Sequence, residues 1–113
     1  VTFMASNFVT IVKDGKLINI DEDKLRRDDE VIFQAGDIIP ADLRLIEARE
    51  LEVDEFEITG EIMPVIKNIA GHDDMIYMGS RVIKGSGRGI VIATGDQTEY
   101  GKVLEQSWEE QKR

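Results

Sequence analysis

Short runs of apolar and β-branched residues, broken by glycine and aspartate turns, organise most of this chain. Phe8 to Val12 (FVTIV) reads as a strand, because branched and aromatic side chains suit a pleated surface. Asp14-Gly15 supplies the positive φ of a two-residue hairpin turn, and Leu17 to Ile20 returns as the partner strand. Residues 21–30 (DEDKLRRDDE) mix both signs of charge and read as a solvated connection with one helical turn. Val31 to Phe33 is a short strand; Gly36 then turns the chain, and Pro40, lacking an N–H, belongs at a sheet edge or a bend. Leu43 and Leu45 alternate with Asp42 and Arg44 at a period of two, and the alternation lapses at Ile46.

The second half continues the pattern. Leu51, Val53 and Phe56 are the expected apolar anchors of an acidic segment, and Ile62 to Ile66 (IMPVI) is apolar again. KNIAGHDD reads as a loop. Met75 to Ile83 and Ile90 to Thr94, separated by KGSGRG, read as a second hairpin buried on both faces in its later half. From Asp96 the spacing of Tyr100, Val103 or Leu104, and Trp108 is helical, with Asp96 as the cap. About seven short strands followed by one helix predict a mainly β fold, a β-sandwich or jelly-roll rather than a parallel sheet.

Composition narrows the function. At 113 residues the chain is of single-domain length and long enough to bury a core without staples. It has no cysteine, which excludes disulfides and thiolate zinc sites. A net charge of −9 argues against nucleic acid as a partner, since binders of phosphate backbones carry a Lys/Arg excess. No run approaches the ~20 apolar residues of a membrane helix. The opening Val1-Thr2-Phe3, without an initiator methionine, reads as the interior of a longer protein.

Candidate chemistry centres on FEITGEIMPVIK, residues 56–67. Glu61 stands at the tip of a tight turn: Gly60 lets the backbone approach a partner closely, and Thr59 can hydrogen-bond and stiffen the turn. By composition alone such an acid is a solubilising surface residue. Pinned at both ends by apolar segments, it also suits a general base that orients water. The chain offers it no metal cluster, nucleophile–base pair or phosphate loop, so its chemistry would be done on another domain. His72 beside two acids reads as a solvated loop residue, and GSGRG lacks the Lys-Ser/Thr of a phosphate loop. No calcium-loop spacing appears. Tyr100 and Trp108 read as the packing face of the tail helix.

The order GD-x-x-PAD, VDE, TGE-x-x-PV-x-K, a glycine hairpin and TG-x-x-T-x-x-GK, over roughly residues 8–104, resembles the actuator domain of P-type ATPases. These cation pumps pass through an aspartyl-phosphate. The resemblance implies a distorted jelly-roll on the cytoplasmic face of a membrane-embedded pump, with residues 96–113 forming a helix that leads toward the membrane. It implies that Glu61 positions the water that attacks the aspartyl-phosphate, that Gly60 permits close approach, and that Thr59 shapes the turn. The implied partners are the phosphorylation and nucleotide-binding domains and the transmembrane helices of the same pump. ATP and Mg2+ are expected for that pump, and no cofactor for this segment.

Two positions depart from the family pattern: Ile62 follows TGE and Phe56 follows VDE, each where the family usually has serine. The reading favoured here is that Ile62 packs beneath the tip and leaves Glu61 competent, since Pro64, Val65 and Lys67 are intact. IPAD (residues 39–42) leans toward the calcium, proton and magnesium-like branches rather than heavy-metal pumps. Rival readings are a non-catalytic acidic β-domain for protein–protein contact, including a degenerate regulatory actuator, and a free-standing acidic hydrolase, for which no second catalytic group can be named.

Overall fold

The computed structural model describes residues 7–71 and 73–102. His72 and the tail-helix positions Val103, Leu104 and Trp108 lie outside the described residues. The strands are β1 (Phe8–Lys13), β2 (Lys16–Asp21), β3 (Glu30–Gln34), β4 (Asp42–Asp54), β5 (Val65–Lys67), β6 (Met75–Ile76) and β7 (Arg81–Ala93). They form an antiparallel network in the order β2-β1-β3-β7-β4-β5, with β6 also paired to β4. The mainly β expectation holds, and the sandwich is distorted because its longest strands, β4 and β7, bulge along their shared ladder.

The first hairpin forms as expected. Asp14 and Gly15 both take positive φ (53° and 76°), the pair of values that matches the turn to the twist of its strands. Within the charged connection Glu22–Lys24 makes one 3-10 turn, capped where Asp21 Oδ1 accepts the Asp23 N–H at 3.0 Å. The connection is not solvated throughout, because Leu25 is buried in the core. Pro40 lies in the bend before β4.

Two expected segments merge into β4. The lapse of alternation at Ile46 marks a bulge: Leu45 pairs with Gly89 and Glu47 with Arg88, so Ile46 is the extra residue. A second irregularity lies between Arg49 and Glu52, where Glu50 adopts φ 47°.

The expected hairpin at KGSGRG is overturned. Those residues run through the middle of β7 as continuous strand. Their glycines are there for close approach rather than for turning. A Cβ at Gly87 would meet the Glu47 carbonyl oxygen at 2.6 Å and the Phe33 ring at 2.9 Å, and one at Gly89 would meet Leu43 Cβ at 2.8 Å. Glycine in a strand interior marks a bulge or a near backbone, and here it marks both.

Val9 and Ile11 from β1, Val31 and Phe33 from β3, and Leu43, Leu45, Leu51 and Val53 from β4 are buried in one cluster with Ile76, Val82 and Val91. Phe56, expected as an anchor, is instead 51% exposed.

Asp42 is buried at 3% exposure, yet its carboxylate is satisfied: Oδ1 accepts the Met78 N–H and Oδ2 the Glu99 N–H, each at 2.9 Å. It thereby joins β4 to the turn before β7 and to the helical residues 99–102. That helix is capped by Thr98, whose Oγ1 accepts the Gly101 N–H at 3.0 Å, and not by the expected Asp96. Asp42→Ala removes the charged acceptor of two backbone N–H groups and is expected to cost about 2–4 kcal/mol in urea unfolding.

On the sheet surface Arg49 holds Glu47 Oε1 through Nε (3.1 Å) and Nη2 (2.9 Å), while Arg88 Nε holds Oε2 at 2.8 Å. These two guanidinium groups, Arg49 first, keep the Glu47 carboxyl below the usual carboxylate range. A carboxyl depressed by folding adds stability that is present above its unfolded pKa and lost as pH falls through its folded pKa. The loss therefore lies at and below the ordinary carboxylate range. Arg88→Gln is expected to flatten the fall in urea midpoint between neutral pH and about pH 3.

Candidate functional site

β4 ends at Asp54 and the chain leaves the sheet for the segment that returns as β5. Asp54 Oδ1 accepts the Phe56 N–H at 2.9 Å and starts a single helical turn, α1 (Phe56–Thr59). Glu55 is the hub of that turn. Its carbonyl accepts the N–H groups of Ile58 and Thr59, both at 2.9 Å, and the Thr59 hydroxyl at 3.2 Å. Gly60 stops the turn at φ 75°, ψ 2°, donating its N–H to the Phe56 carbonyl at 2.8 Å.

Thr59 works in both directions, because its Oγ1 also accepts the Glu61 N–H at 3.1 Å. The hydroxyl spans the glycine and fixes where Glu61 leaves the turn. Thr59, Gly60 and Glu61 are thus brought together on one tip, as the sequence predicts. The Glu61 side chain is exposed and makes no hydrogen bond or ion pair among the described residues. Its carboxylate is open to contact from another surface.

Ile62 is 83% exposed and Met63 76%, so the expectation that Ile62 packs beneath the tip is overturned. With no strand pairing between Gly60 and Pro64, nothing folds these side chains inward. An open cleft of about 670 Å3 lies alongside, bordered by Ile38, Asp54, Phe56, Glu57, Ile62 and Arg81. Phe56 and Ile62 thus give that cleft an apolar side, and Arg81 at the start of β7 gives it one guanidinium.

Beneath the tip lies a feature that motif reading passed over. Glu55 and Lys67, at opposite ends of the loop, are 6% and 5% exposed, and Lys67 Nζ stands 3.0 Å from Glu55 Oε2. The ammonium also lies 5.7 Å from the centre of the Tyr77 ring. Burial first, and then the negative charge of Glu55, Asp42, Glu99 and Asp73, pushes the Tyr77 phenol up from its ordinary value. A signal was present in the sequence: Leu51, Val53 and Glu55 share one parity, so the face that buries the first two carries the third inward.

Among the described residues, no group of three or more His, Asp or Glu is placed to hold a metal ion. Nor is any helix among them long and apolar enough to cross a membrane.

The structure displays an acid at the tip of a loop on a bulged β-domain, and comparison with known proteins identifies the class. Residues 4–108 match the family model of the P-type ATPase actuator domain, and the chain belongs to that family. It is 40% identical over 110 residues to calcium-transporting ATPase 1 of Schizosaccharomyces pombe, covering 89% of this chain and 12% of that protein. It is 35% identical over 112 residues to the calcium-transporting ATPase of Bacillus subtilis, covering 90% of this chain and 13% of that one. The chain thus spans about an eighth of the length of these relatives. The crystal structure of a zinc-transporting PIB-type ATPase shares the fold with a TM-score of 0.78 at 23% identity, covering 94% of this chain and 17% of that one.

Proposed function

We propose that this chain is the actuator of an ATP-driven cation pump, and that Glu61 is the base which orients water onto an aspartyl-phosphate carried by the phosphorylation domain. The observation that carries the reading is the latched tip: Thr59 Oγ1 accepts the Glu61 N–H while donating to the Glu55 carbonyl, with Gly60 in the left-handed region between them. A positioned base needs its backbone held before the partner arrives, and this arrangement holds it.

In this reading the phosphoryl group and the nucleotide are held by other domains. ATP and Mg2+ act on the other domains of the pump, and this segment contributes orientation and a proton acceptor. Gly60, without a side chain, lets the tip close on the phosphorylated aspartate. The exposed Ile62, Met63 and Phe56 form the apolar rim of that contact, in place of the hydroxyls usual after TGE and VDE. In this reading the chain is one actuator-type domain on the cytoplasmic face of the membrane. The curated relatives named above are calcium transporters, which together with IPAD at residues 39–42 supports a calcium-type cargo over a heavy metal.

The test is phosphoenzyme decay in the full-length pump, after a labelled-ATP pulse and a cold chase, for wild type and Glu61→Gln. Slower decay in the variant supports the reading. Equal decay would transfer the chain to the rival reading, a degenerate actuator kept for regulatory contact.

A further inference from the structure

We infer that the buried Glu55–Lys67 pair is a positioning device for the catalytic tip, acting through Glu61 rather than serving the stability of the domain. The inference rests on the proposed role of Glu61.

The geometry singles out this pair. Glu55 is the first residue after β4 and Lys67 the last of β5, so one ion contact closes the base of the entire excursion that carries the tip. Lys67 is registered opposite Leu51 in the β4–β5 ladder, which holds its backbone, and the Tyr77 ring flanks its ammonium. Glu55 in turn organises the tip directly: its carbonyl is the acceptor for Ile58, Thr59 and the Thr59 hydroxyl, and that hydroxyl receives the Glu61 N–H. A chain of contacts therefore runs from the Lys67 ammonium through Glu55 and Thr59 to the backbone of Glu61.

Stability alone gives this pair little reason to exist. Two buried charges are costly to desolvate, and apolar residues of similar volume often replace such pairs with no loss of stability. Glu55 Oε2 receives no hydrogen bond of good angle, so its 3.0 Å contact with the ammonium is chiefly coulombic. What an ion contact supplies, and a methionine pair would not, is a fixed separation between the two ends of the loop.

The experiment uses the full-length pump with Glu55→Met and Lys67→Met combined, alone and together with Glu61→Gln. Thermal unfolding checks that the double variant is folded, hydrogen exchange reads the Gly60 and Glu61 amides, and pulse–chase reads phosphoenzyme decay. The expected results are a retained fold, exchange at those amides faster by about 10-fold, and decay slower by at least about 10-fold. Because the pair acts through Glu61, adding the methionines to Glu61→Gln should slow decay no further. A folded double variant that decays at the wild-type rate while Glu61→Gln is slow would overturn the inference, as would further slowing on top of Glu61→Gln. Should Glu61→Gln itself decay normally, the base reading fails, and exchange then decides: faster amides with the fold intact support positioning, and unchanged amides overturn it. If the double variant does not fold, Lys67→Arg replaces it: wild-type exchange and decay support a positioning cation, and slow decay with unchanged exchange overturns one.

Discussion

Glu61→Gln is expected to leave phosphoenzyme formation intact and to lengthen phosphoenzyme lifetime by about 10²–10⁴-fold, the usual worth of a positioned general base. That corresponds to about 3–5 kcal/mol of transition-state stabilisation. Glutamine keeps the shape and the hydrogen-bonding reach of the side chain and removes only its ability to take a proton. The tip should not collapse, since the Glu61 side chain has no partner among the described residues and its backbone is held by Thr59. Unfolding stability should accordingly stay within about 0.5 kcal/mol of wild type. Glu61→Asp separates charge from reach: the carboxylate retreats by one methylene, and a misplacement near 1 Å can itself cost about 10²-fold. If aspartate decays like wild type, placement is unimportant and the latched tip loses its meaning.

Gly85→Ala is expected to destabilise the domain by about 3–5 kcal/mol, combining a left-handed backbone with overpacking. Gly85 sits at φ 84°, and a Cβ there would collide with the carbonyl oxygens of Arg49 and Glu50. Both obstacles are backbone, fixed by the bulge in β4, so neither can swing aside. Gly15→Ala is the control. Gly15 has nearly the same φ, 76°, but nothing lies within 4 Å of the added methyl. It should lose only about 1 kcal/mol, the backbone strain alone. Urea unfolding of the two variants separates close approach from conformation, and equal losses would mean that the β4–β7 contact yields. Against a total stability of about 5–15 kcal/mol, the Gly85 variant lies near the limit of folding.

The tip residues and the strands of the first half were legible because they depend on local rules. Asp14-Gly15 needs only its own dihedral angles, and Thr59-Gly60-Glu61 forms its turn from bonds between residues close together in the chain. Ile62 was misjudged because the sequence shows that a residue is apolar but not whether another surface is present to bury it. Thr98 was overlooked as a cap for a related reason: Asp96 is as good a cap by type, and the intervening 3-10 turn decided between them.

The sequence by itself determined a mainly β domain, the hairpin of β1 and β2, and an acid displayed on a glycine turn, since period-two burial and turn chemistry act over a few residues. Only the tertiary structure decided that KGSGRG is strand interior, that Ile46 is a bulge, that Asp42 satisfies two distant N–H groups, and that Glu55 meets Lys67. Each of these depends on what a partner strand or a distant loop places within a few ångströms. Such proximity comes from the folded pairing of β4 with β5, β6 and β7; the lapse at Ile46 and the parity of Glu55 mark positions in the sequence but not the partners they meet.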